Sequence, residues 1–215
     1  MRIEVIGASL RFGRRVVFAD LDAVFPAGVV TALTGPSGSG KSSLLAAMSG
    51  YLRLTRGSVV TVDDDDRRSS PKPVDVAWVP QGTNSLGARS ALDNVMIGAL
   101  AEGDRLPAAR RRALDALEAV GLWERAGAVV RTLSGGELQR VGFARALATS
   151  KPLIFADEPS SALDAANTHL LADLLAGLNT RATVVVATHD PVLIDAAHTR
   201  VDLRERTLDR VDDAR

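Results

Sequence analysis

Val29-Val30-Thr31-Ala32-Leu33-Thr34-Gly35-Pro36-Ser37-Gly38-Ser39-Gly40-Lys41-Ser42 is the stretch that decides the fold. Its first six residues are a short, continuous apolar run, the pattern of a strand buried on both faces in a parallel sheet. A Gly-rich turn follows, and Ser42–Met48 reads as a helix. From Gly35 to Ser42 the chain fits a pattern of glycine, four residues of any type, glycine, lysine, then serine or threonine. The glycines let the backbone curl so that successive N–H groups point into one concavity, where they and the helix N-terminus bind phosphate oxygens. The candidate phosphate ligands are Gly35, Ser37, Gly38, Ser39, Gly40, Lys41, Ser42 and Ser43. Lys41 is placed to reach the β- and γ-phosphates of a nucleotide, and the Ser42 hydroxyl to hold Mg²⁺.

Outward from this unit, Val74–Val79, Leu153–Ala156 and Thr183–Ala187 read as further buried strands, each ending in polar residues. That is the expected edge for a ligand site in a parallel sheet. Before residue 26, the runs Ile3–Ile6, Val16–Phe18 and Ala23–Phe25 predict a group of short antiparallel strands. Between 85 and 150 strand signals vanish, and helices are predicted over Leu92–Leu100, Ala108–Val120 and Glu137–Thr149. Val201–Arg204 and Thr207–Val211 suggest a terminal hairpin, and Asp63–Asp66 a solvated turn, because adjacent carboxylates repel. The expected architecture is α/β: a mostly parallel core sheet, an N-terminal antiparallel β subdomain and a helical insertion over about 85–150, all in one domain spanning 1–215.

Composition narrows the chemistry. The chain has 215 residues, enough for a substantial core, and no cysteine, which excludes disulfides, thiolate metal sites and cysteine nucleophiles. Basic and acidic residues balance at 26 each, so no global basic field draws it to nucleic acid, and no nucleic-acid partner is expected. The first fifteen residues lack the apolar core of a secretory signal, and no stretch approaches the ~20 apolar residues of a membrane span, which predicts a cytoplasmic chain.

Leu153-Ile154-Phe155-Ala156-Asp157-Glu158 supplies a second half to the site. Asp157 at a strand tip can hold Mg²⁺, and Glu158 can accept a proton from an attacking water. The absence of an Asn-Lys-x-Asp stretch counts against guanine nucleotides. Leu133-Ser134-Gly135-Gly136-Glu137-Leu138-Gln139-Arg140 is more specific. A serine hydroxyl and glycine amides at a helix start form both a cap and a second anion site.

In residue type, order and spacing this stretch resembles the signature motif of ABC-type ATPases, and the likeness extends from about residue 3 to 205. It implies a P-loop NTPase fold and an ATP-binding, ATP-hydrolysing subunit of a bacterial membrane transporter, closest in size to the compact lipoprotein-release, macrolide-export and cell-division types. The resemblance further implies that Gln81 senses Mg²⁺ and the attacking water, that His189 contacts the γ-phosphate and that Phe12 stacks on adenine. Glu158 is the implied base. Ser134, Gly135, Gly136 and Asp164 would face a second copy of the chain, so that two ATP molecules are sandwiched between two protomers. The motion would drive separate transmembrane permease subunits, holding the protein at the inner face of the membrane. The alternative is an ABC ATPase that transports nothing, of the cell-division-regulator or iron–sulfur-assembly type.

Overall fold

The sequence predicts three short strands before Pro26. The computed structural model, which describes residues 1–82, 85–178 and 182–203, has two long ones, β1 (Arg2–Phe12) and β2 (Arg15–Phe25). The register shifts after Val5, Ala8 and Leu10 explain the difference, with Gly7 and Asp20 taking positive φ at 53° each. These bulges absorb the polar interruptions without ending either strand.

Strand β3 (Val30–Thr34) is buried at every position and leads through the glycine loop into α1 (Lys41–Met48). Strands β4 (Arg56–Val62) and β5 (Arg68–Ser69) complete an antiparallel sheet of order β2-β1-β4-β5. The acidic run lies in the turn between them. One Asp63 carboxylate oxygen accepts from the amides of Asp65 and Arg67, at 3.0 and 2.9 Å, and Asp64–Asp66 are exposed.

Strand β6 (Val76–Val79) starts two residues later than the sequence suggests. Pro73 fixes φ and opens a 3₁₀ turn over Pro73–Asp75, leaving Val74 exposed. Helices α2 (Ala91–Ala101), α3 (Leu106–Ala119) and α4 (Gly135–Leu147) follow and pack on one another. Leu92, Val95 and Met96 belong to their core, whereas Leu86 is open to solvent. Arg110 and Arg111 are exposed, and Arg112 pairs with Asp104 at 2.7 Å.

The remaining elements are β7 (Leu153–Asp157), α5 (Ala165–Ala176), β8 (Thr183–Ala187), α6 (Pro191–Ala196) and β9 (Thr199–Asp202). The second sheet has the order β6-β7-β8-β3-β9, and all its pairings are parallel. The predicted terminal hairpin is thus corrected in its first half. β9 lies parallel to β3, with Thr31 opposite Thr199, because α6 returns the chain to the same end of the sheet. Thr207–Val211 lies outside the described residues.

Alternation along these strands builds two cores. Val79, Ile154, Ala156, Val184 and Val186 face helices α2–α6. Val76, Leu153, Phe155, Val185 and Ala187 face α1 and the antiparallel sheet. Each fully buried Phe, Leu or Val favours folding by roughly 1.5–3 kcal/mol over an exposed one. With both faces covered, the loops at the sheet's carboxyl edge are the expected place for a ligand.

Candidate nucleotide site

That edge collects most of the predicted residues. Gln81 follows β6, Glu158 follows β7, His189 follows β8 and Gly35 follows β3, so four neighbouring or near-neighbouring strands deliver one group each. The loop from Gly35 to Gly40 takes positive φ at Gly35 (151°), Gly38 (78°) and Gly40 (99°). Gly40 is also tightly enclosed, since a Cβ there would stand 2.5 Å from Val17 Cγ1. No side chain caps α1. Its first amides, with no intrahelical partners, are therefore free to meet an anion.

The cleft above the loop holds about 430 Å³. Phe12, Ser37, Gly38, Gly40, Lys41, Ser42, Ser43, Gln81, Glu158 and His189 all line it. Phe12 is 56% exposed, which takes it out of the core and leaves its ring free to stack. Lys41 is buried; its ammonium donates to the carbonyl oxygens of Gly35 (3.0 Å) and Pro36 (3.4 Å) and pairs with Glu158 Oε1 at 3.0 Å. The other Glu158 oxygen lies 2.9 Å from His189 Nδ1. Glu158 itself adopts φ of 45°, a left-handed conformation costly for a side chain with a Cβ, and its amide is held by the Ala187 carbonyl at 2.8 Å. The strand end thus bends the carboxylate away from the sheet and over the loop.

Asp157 lies beneath. Its Oδ1 is buried without a hydrogen-bond partner, a costly arrangement that a cation would relieve. Together with the exposed Ser42 hydroxyl and Gln81, this fits Mg²⁺, which takes few protein ligands and relies on phosphate oxygens and water. The described residues contain no cluster of three acidic or histidine groups that would cage a metal by themselves. When bound, the ion would neutralise charge developing on the phosphates. Gln81 donates to Ser161 Oγ at 3.3 Å, whereas Gly35, Ser39 and Asp157 do not line the cleft, and the Ser39 hydroxyl is buried without a hydrogen-bond partner.

Ser134, Gly135, Gly136 and Asp164 do not line the cleft. They form a second group where α4 and α5 begin. The Ser134 hydroxyl accepts from the Glu137 amide at 3.2 Å, while the Glu137 carboxylate accepts from the Ser134 amide at 2.8 Å, a closed capping box. The amide of Ser134, then its hydroxyl and the nearby Arg125, hold the Glu137 carboxyl below its ordinary pKa. Asp164 caps α5 through the Asn167 amide at 2.8 Å and accepts from Asn167 Nδ2 at 2.9 Å, which lowers its pKa in turn. A Cβ on Gly136 would come 2.0 Å from Asn167 Oδ1, so only glycine allows this approach.

Sequence reasoning passed over Arg15 and Val17, which line the cleft, and Asn167, which joins the second group. Arg15 and Val17 reach the cleft through the register of β1 on β2, which sets Arg15 opposite Phe12. Asn167 carried no local signal, because its contact crosses between helices. His169 and His198 are exposed and lie outside both groups.

The profile of the ABC transporter family matches residues 18–161. The phosphonates import ATP-binding protein PhnC 2 of Rhodopseudomonas palustris is 37% identical over 213 residues, covering 93% of this chain and 74% of that one. The lipoprotein-releasing system ATP-binding protein LolD of Bacteroides fragilis is 35% identical over 219 residues and covers 98% of both. Among solved structures, the dimeric bacterial ABC transporter cassette MJ0796 superposes with a TM-score of 0.74 at 28% identity over 94% of each chain. Its post-hydrolysis state bound to ADP and Pi gives 0.74 at 28% identity over 93% of each. With the P-loop NTPase fold and the family profile in agreement, this chain is an ATP-hydrolysing member of the ABC transporter family.

Proposed function

We propose that the chain is the ATPase subunit of a membrane transporter, working as a pair of copies around two Mg²⁺–ATP molecules. The observation that carries this reading is the separation of the site residues into two groups on one chain. The cleft gathers Lys41, Glu158, His189 and Gln81, whereas Ser134–Gly136 and Asp164 sit outside it. A second copy, facing the first, would bring its Ser134 group to the open side of each cleft. The dimeric cassette structure of a similar protein supports that arrangement.

In the loaded site, the loop amides and Lys41 would hold the phosphates, and Ser42, Asp157 and Gln81 would hold the ion. Phosphate oxygens at Lys41 compete with its ion pair to Glu158 and release that carboxylate. Glu158 then accepts a proton from water, and His189 orients the carboxylate and the terminal phosphate. Loss of that phosphate removes contacts that bridge the two copies and lets them part.

The relatives include proteins named for import and for lipoprotein release, so the shared component is the ATP-driven motor rather than the cargo. Among the described residues no helix is long and apolar enough to cross a membrane. Separate permease subunits at the inner membrane face would therefore hold the protein and convert its closure into transport. Measuring specific ATP turnover against protein concentration tests the paired site. Turnover per chain should fall on dilution, and a constant value would overturn the reading. Copurification of a multi-span membrane protein with the tagged chain is expected from its native host.

A further inference from the structure

Arg15 stands at the edge of the cleft with no role in the mechanism above. It is the direct cross-strand partner of Phe12 across the turn Gly13-Arg14. Directly opposed residues share one face of a hairpin, and alternation places Val17 on that face as well. All three line the cleft. Val17 presses on Gly40, and Arg15 reaches the same loop two residues earlier, its Nη2 only 3.9 Å from where a Cβ on Gly38 would be. The guanidinium is exposed and has no ion-pair or hydrogen-bond partner among the described residues. It therefore lies between an open aromatic ring at one end of the cleft and the loop amides at the other.

We propose that Arg15 binds the α-phosphate of the nucleotide, an inference that rests on the nucleotide reading of this cleft. A nucleotide with its base on Phe12 and its terminal phosphates in the loop carries its first phosphate midway, beside Arg15. Lys41 sits deeper, beside the Gly35 and Pro36 carbonyls, where it meets the terminal phosphates rather than the first. The planar guanidinium suits two oxygens of one phosphate. Because the α-phosphate survives hydrolysis, Arg15 strengthens ADP and ATP binding alike. It sets how long the nucleotide is retained, not the preference between substrate and product.

Equilibrium titrations of the full chain with ADP, ATP and GDP test this. Arg15→Gln is expected to weaken ADP and ATP binding by one common factor, about tenfold, the usual size of a charge-assisted contact. GDP should weaken by the same factor, and Arg15→Lys, which keeps the charge, should recover part of the loss. The ADP affinity of Arg15→Gln should also depend less steeply on salt than that of the wild type. Affinities within twofold of wild type, a loss confined to ATP, or different factors for ADP and GDP would each overturn the assignment; the last would place Arg15 on the base. A wild-type chain that bound neither ADP nor ATP would overturn the nucleotide reading itself, a result separable from any change caused by the variants.

Discussion

The N-termini of α1 and α4 are both marked by the sequence as anion sites, yet they commit their amides differently. At α1 no side chain caps the helix, and Gly40 in a left-handed conformation leaves the first amides open above the cleft. At α4 the Ser134–Glu137 box is closed, and a carboxylate already occupies the Ser134 amide. An uncapped end costs stability when empty and is ready for phosphate. At the capped end the amides of Ser134 and Glu137 are engaged, which leaves the Ser134 hydroxyl proton and the amides of Gly135 and Gly136 to offer outward. One chain thus carries an open helix end at its cleft and, apart from it, a capped helix end outside the cleft.

Four experiments would break or sharpen this contrast. Glu158→Gln removes proton acceptance at the cleft, so steady-state ATP turnover should fall by about 10²–10⁴-fold. Size-exclusion chromatography with ATP should then reveal an accumulated dimer; wild-type turnover would remove Glu158 from its role. Lys41→Ala should raise the ATP dissociation constant by roughly ten- to a hundredfold in equilibrium titration, since a charged contact to phosphate is worth about 1.5–3 kcal/mol. Ser134→Ala should reduce turnover by about tenfold while a chain diluted to monomer binds ATP as before. It should also lower unfolding stability by about 1 kcal/mol through loss of the cap, measured by urea denaturation. Equal effects of Lys41→Ala and Ser134→Ala on monomer binding would erase the distinction between the two helix ends.

The smallest effect concerns acid. Glu137 is held below its ordinary pKa of 4.5 chiefly by the Ser134 amide, so its contribution is present above that value and disappears as pH falls through the folded one. Comparing urea midpoints at pH 7 and near pH 4 should show a smaller acid loss in Glu137→Gln than in the wild type. An unchanged pH dependence would mean that the α4 box is not a determinant of stability.

The strand, glycine loop and helix around Gly35–Ser42 were legible in the sequence because that pattern needs particular residue types at fixed spacing, and the parallel strands because burial on both faces leaves continuous apolar runs. What escaped detection was set by register or by distant contact. Bulges let β1 run on past the predicted Ile3–Ile6 and let β2 take in both Val16–Phe18 and Ala23–Phe25, which no local propensity encodes. Arg15 sits among Arg11 and Arg14, and only its pairing with Phe12 singles it out. Pro73 was visible, yet the apolar Val74 beside it suggested strand where the chain makes a tight turn.

Asn167 has a mechanical consequence. It is wedged against Gly136 on one side and tied to Asp164 on the other, which hooks the start of α4 to the start of α5. A pull along α4 would reach Asp164 without slack, so the serine and the aspartate would arrive at, and leave, an opposing copy in a single stroke.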